Sequence, residues 1–188
     1  MKSIIIGQIL LILCCIVYLI WWYRGFRPGI YVSRAGGVNG VLLLITMVLG
    51  FAGVFFSLIP AEKIRKPLVS QGMVVICGIA AYFILMAVTK LFFNRVVTTE
   101  LFLIVGWTML ETIVADRLYA IGSLDNNSFF TITVIISASF LIGIILYVAY
   151  YRMEEMRAFY AAMVPLIVDA IAMSAMIGIV AYRCTTSM

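Results

Sequence analysis

The chain contains no histidine, and only 11% of its 188 residues are charged. The first absence removes histidine metal sites, histidine-ligated haem and Ser-His-Asp catalysis together. The second sets the chain apart from soluble domains, which carry about 25% charged residues. Cysteine is scarce as well. Cys14, Cys15, Cys77 and Cys184 form no CxxC or CxC spacing, so neither a thiol-redox pair nor a metal motif is indicated, and no cofactor is expected. Their expected role is that of small hydrophobes. No GxxxxGK[ST] or GxGxxG pattern follows Gly36 and Gly37, which removes the phosphate-cradling loop that paired glycines would otherwise suggest.

What is present is apolar. Hydrophobic residues make up 65% of the chain, and the mean hydropathy is +1.19. Nearly all residues fall into six apolar blocks with short joins, leaving no room for a soluble domain of about 50 residues or more. The expected fold is all-α: one polytopic integral membrane bundle of about six transmembrane helices. The spans lie near residues 4–23, 41–59, 70–93, 100–121, 129–151 and 158–182. The first block, Ile4 to Trp22, exceeds the ~7–15 residues of a signal-peptide core and ends in Trp21, Trp22 and Tyr23 without a small-x-small cleavage site. It reads as a retained anchor in a bacterial plasma membrane.

The net charge of +5 does not mark a nucleic-acid binder. The thirteen Lys and Arg stand singly or in small groups beside span ends, where the partner is the lipid bilayer with its anionic headgroups. They divide almost evenly between the two sides. Around the first span, Lys2 stands against Arg24, Arg27 and Arg34, and the first helix usually dominates, so both termini are expected outside. Lys90 reads as a snorkelling side chain near a span end. Gln8, the one strongly polar side chain of the first span, is expected near an interface. Asn126-Asn127-Ser128 matches a glycosylation sequon, a triplet too common to count without a lumenal loop.

Glycine and proline punctuate the blocks. Gly25, Pro28, Gly29, Gly36, Gly37 and Gly40 are expected to exclude a regular helix from the first loop. Gly50 and Gly53 fall mid-span in the second block, and Cys77, Gly78, Ala80 and Ala81 in the third, where small residues let helices approach closely. The join from Arg152 to Phe159 is the most charged stretch and is expected to run on as helix into span six.

The functional signal is in spans four and six. Span four carries Glu111, Asp116 and Arg117 inside an apolar run. A charge at the bilayer centre costs ~2.5–3.5 kcal/mol on insertion scales, so it normally faces other helices or water and serves a function. At 3.6 residues per turn, Thr108, Thr112 and Asp116 fall on one line with Glu111, Ala115 and Tyr119 beside it. Leu103, Val105, Leu110, Val114 and Leu118 form the opposite, lipid-facing side. Span six carries Asp169 one turn after Pro165, whose missing N–H is expected to kink the helix. Spans four and six run in the same direction, so Glu111 and Asp169 are each expected about 16–18 Å deep, at one level. Tyr82 and Ser139, with Cys14 and Gly50, are expected at that level too. Asp116 and Arg117 lie nearer the interface, where they pair with each other or with neighbours.

Paired carboxylates near the midplane suit a proton or cation site in a small transporter, or in the membrane-embedded substrate-binding subunit of one. The expected ligand-contacting residues are Glu111, Asp169, Thr108, Thr112, Tyr82, Ser139 and Asp116. Residues 1–93 hold no counterpart of Glu111 or Asp169, so an inverted repeat is not indicated. A carrier of this size implies a homo-oligomer or a second membrane subunit, with a small cation or small molecule as substrate. The alternative is a non-catalytic subunit or scaffold of a larger complex. An intramembrane enzyme using paired acids is the third reading, and it lacks the GxGD context that an aspartyl protease of the presenilin type would need.

Overall fold

A computed structural model describes residues 2–29, 36–58, 70–93, 99–150 and 152–186. Among these the regular structure is helical: α1 (Lys2–Phe26), α2 (Gly37–Leu58), α3 (Gln71–Phe93), α4 (Thr99–Ala120), α5 (Asn126–Tyr150), α6 (Glu155–Ala161) and α7 (Val164–Thr186). Five helices are long and apolar enough to cross a membrane: α1, α2, α3, α5 and the α6–α7 pair taken as one length. Helix α4 has the length but carries Glu100, Glu111, Asp116 and Arg117. The basic loop 61–67 and residues Arg34, Asn94 and Arg95 lie outside the described residues.

Neighbouring helices pack in the order α2, α1, α7, α5, α4, α3, and α4 also touches α2. The α1–α2 hairpin is the closest pairing. A Cβ built on Gly7 would strike the Ser57 hydroxyl, and would lie 2.6 Å from the Ser57 nitrogen and 2.8 Å from the Gly53 carbonyl oxygen. Two backbones therefore meet where small residues allow them to. Ser3 donates to the Phe56 carbonyl at 2.7 Å, and the Cys14 thiol donates to the Thr46 carbonyl at 3.3 Å. Gly53 belongs to this contact, as its place in the second block suggested. In α3, Gly78 abuts the side chain of Met109, whereas Cys77 is exposed.

Helix α4 departs most from its expected character. The side assigned to lipid is largely covered: Val105, Val114 and Leu118 are buried, and of that set Leu103 alone is exposed. The reason is that α4 is packed on several sides. Val114 and Leu118 join a core with Ile4 of α1, Ile132 and Ile136 of α5, and Met176 and Val180 of α7. Leu101, Ile104 and Val105 join Tyr147 of α5, with Tyr82 and Leu85 of α3 against them.

Three boundaries moved for local reasons. Helix α1 runs on through Gly25 to Phe26, and α2 begins at Gly37, so glycines expected to break helix lie within it. Stacking of Trp22 on Phe26 at 4.2 Å between centroids holds the extra turn of α1. Helix α5 begins at Asn126 because Asp125 caps it, its carboxylate accepting from the Ser128 amide at 2.9 Å. Span six is two helices rather than one kinked helix. The chain turns at Ala162 and Met163, and Pro165 falls in the first turn of α7, where a missing N–H costs nothing.

Candidate functional site

Two polar features occupy the interior. The first is a pair of side chains between α1 and α4. Glu111 is 0% exposed, and its Oε1 accepts a hydrogen bond of 3.0 Å from Nε2 of Gln8, itself 1% exposed. Gln8 was expected near an interface. It belongs instead to the inner stripe of α1 with Ile4, Leu11 and Cys15, a spacing that one helical face produces. Leu11 and Cys15 pack with Met173 of α7, and Trp107 and Leu110 of α4 close over them. Glu111 Oε2 and Gln8 Oε1 are buried with no hydrogen-bond partner among the described residues. A carboxylate so placed costs several kcal/mol if it is left ionised and unpaired, which a proton or a bound cation removes.

The second feature is a cleft at the opposite end of α4 from Arg117. Its walls come from α1 (Tyr18, Trp22), α4 (Glu100, Leu103, Ile104), α5 (Leu146, Tyr147, Tyr150) and the α6–α7 break (Ala161, Ala162, Pro165, Leu166), with Asp169 also lining it. The cavity measures about 50 Å³. Asp169 is 8% exposed, and no donor or cation bonds it among the described residues. Phe159 of α6 is buried against the rings of Trp22 and Tyr23, at 6.5 and 6.0 Å, so the short helix is fastened over the aromatic end of α1.

The two acids are not level. Glu111 faces Ile132, Ile136, Ala172 and Met176 beside Trp107, whereas Asp169 faces Leu103, Ile104 and Tyr147. On α7 this sets Glu111 roughly three to seven residues beyond Asp169, about 5–10 Å along the axis at 1.5 Å per residue. They still lie within Coulombic reach of each other, with Cys15 in reach of both. The equal-depth expectation fails because α7 begins at the break after α6, so counting from one continuous span misplaces its register.

The rest of the expected constellation disperses. Thr108 and Thr112 donate to the carbonyls of Ile104 and Thr108 at 2.9 and 2.7 Å, one turn back on their own helix. Such back-bonding is the ordinary way a helical threonine satisfies its hydroxyl. Tyr82 packs edge-on against Phe102 at 6.1 Å, on the α3 side of the bundle. Ser139 is buried on the inner face of α5, between Ile136 and Gly143. Asp116 is buried, at 2% exposed, in the last turns of α4. Arg117 donates to the Leu58 carbonyl at 2.6 Å and to Gln71 Oε1 at 3.3 Å, capping the end of α2 and tying it to the start of α3.

Glu100, Tyr18 and Trp22 were not among the expected site residues. Glu100 reads as the first turn of a span, and Tyr18 and Trp22 as an aromatic belt. No local pattern shows that the α6–α7 break lies beside them. No family model matches the chain, and no curated protein or solved structure matches it.

Proposed function

We propose that the chain is a six-span integral membrane protein, with α4 as its fourth and innermost span, acting as a small carrier or as the substrate-binding membrane subunit of one. Asp169 and Glu111 are its cation- or proton-binding groups. Asp169 meets the ligand at the base of the cleft, and Glu111 holds charge one to two turns deeper. The observation that carries this is the fully buried Glu111 carboxylate, bonded to one neutral side chain and in Coulombic reach of a second buried acid. Acids inside a bundle commonly mark ion and proton pathways. A helix break beside such an acid is a recurrent device of carriers, and here it parts the short α6 from the full-length α7. With Arg24 and Arg27 on the cleft end, the positive-inside rule puts that end in the cytoplasm and both termini outside.

The test is a thermal-stability scan of the purified protein across pH and Na⁺, beside Glu111→Gln and Asp169→Asn. The reading expects a cation-dependent rise in Tm that disappears in either variant. Wild-type protein indifferent to cation and pH, with both variants folded, would refute it.

A second reading is a non-catalytic subunit of a larger complex, favoured by α3. Among its described side chains only Thr89 is buried, and its hydroxyl is spent on the Leu85 carbonyl at 2.6 Å. Co-purification of a stoichiometric partner that is lost on bulky substitution of Cys77 would support this reading.

A further inference from the structure

We propose that the cleft binds the primary ammonium headgroup of an alkylamine, held by Asp169 and Glu100 between the rings of Tyr18, Trp22, Tyr147 and Tyr150. This deepens the carrier reading by naming a substrate class, and it rests on that reading for taking Asp169 as a cation site. Four observations carry it.

First, Asp169 is a buried, unbonded carboxylate lining a real cavity. Glu100 lines the same cavity, and its Oε2 is buried without a hydrogen-bond partner among the described residues. Both therefore keep acceptor capacity for an arriving donor, whereas Asp125 at the other end accepts from the Ser128 amide. Second, among the described residues no lysine or arginine lines the cleft, so the charge they fix there is of one sign and attracts cations.

Third, four of the lining residues are tyrosine or tryptophan. A cation within about 6 Å of such a ring is attracted to its face. The other walls are hydrocarbon. A bare metal ion takes its shell from oxygen ligands alone and leaves the rings and hydrocarbon walls unused. An ammonium on an alkyl stem matches them better, with three N–H donors for the carboxylates and methylenes for the leucine and alanine wall.

Fourth, the cavity of about 50 Å³ limits the headgroup. It equals the room of about three to five waters at 10–15 Å³ each. An –NH₃⁺ group with its first methylene fits such a space and brings three N–H donors to the carboxylates, whereas a trimethylammonium group brings none.

The experiment is a calorimetric titration of the full-length protein in nanodiscs at neutral pH with n-butylammonium, butyltrimethylammonium and butan-1-ol. The expected result is saturable butylammonium binding, with the other two at least about tenfold weaker, the discrimination that loss of a charge-assisted hydrogen bond gives. Asp169→Asn and Glu100→Gln should each weaken butylammonium by about tenfold or more. Glu100 is partly exposed and makes no hydrogen bond among the described residues, so Glu100→Gln keeps the test decisive should Asp169→Asn fold poorly. Equal uptake of all three compounds would overturn the proposal, as would butylammonium binding unchanged in Glu100→Gln. Absence of butylammonium binding alongside a Glu111-dependent response to Na⁺ or pH would overturn it while leaving the carrier reading standing.

Discussion

The two ends of α4 use their charges in opposite ways. At one end, Arg117 donates to the last carbonyl of α2 and to Gln71 of α3. Nearby, Asp125 caps α5 and pairs with Arg183 at 2.5 Å. The turn between α4 and α5 is closed as tightly: Ser123 and Gly122 donate back to Leu118 and Tyr119, both at 2.9 Å, with Gly122 at φ 77°. This is a Schellman closure, in which glycine takes the left-handed position that other residues resist. At the other end, Glu100 and Asp169 face a cleft and make no hydrogen bond or ion pair among the described residues. Charges with their bonds made hold helices together; on the proposed reading, the acids that keep their acceptor capacity at the cleft do so for a ligand.

This contrast can be broken most forcefully at the closed end. Gly7→Val should cost about 3 kcal/mol or more, beyond the usual 1–3 kcal/mol of overpacking because backbone rather than a side chain receives the clash. Its control is Gly106→Ala, where no atom lies within 4 Å of the added Cβ and Tm should hold or rise. Denaturation in micelles measures both. Arg117→Met should follow at about 1 kcal/mol, because a half-buried carbonyl and an amide lose their donor together.

At the cleft end, Asp169→Asn and Glu100→Gln should change stability by no more than about 0.5 kcal/mol, as expected where no bond is broken. A loss above 2 kcal/mol in either would show that the acids are structural. The smallest effect is the pH response of Asp125. Hydrogen bonds from the Ser128 hydroxyl and amide, then the charge of Arg183, hold its carboxyl below the usual range. A lowered native value stabilises the fold above the unfolded pKa of about 3.9 and loses that contribution as pH falls through the native value. Tm should therefore dip below about pH 4, and Asp125→Asn should flatten the dip.

Much of the fold was legible because apolar block length is a one-dimensional signal. The blocks at residues 4–23, 41–59 and 70–93 became α1, α2 and α3 with ends shifted by a few residues. Asp125 and Gly122 carried cap chemistry that a closer reading of GSLDNNS could have found. The candidate site was legible only in its acids. Glu111 and Asp169 stood out because charge is rare in such blocks. Gln8, Glu100 and Trp22 did not, since their roles depend on which helix arrives opposite them. Thr108 and Thr112 misled for a related reason: a helical wheel shows which residues share a face, but not that a threonine hydroxyl is satisfied by its own backbone. The lipid face assigned to Val105, Val114 and Leu118 failed because a wheel cannot tell lipid from the apolar side of another helix.

The most direct measurement is proton release from the purified protein in weakly buffered solution when Na⁺ is added, in wild type and in Glu111→Gln. Gln8 can still donate to the side-chain carbonyl of a glutamine at 111, so that variant keeps its fold. The account predicts saturable, stoichiometric release from wild type and none from Glu111→Gln. Equal release from both, or none from a folded wild type, would contradict the claim that the buried carboxylates exchange a proton for a cation.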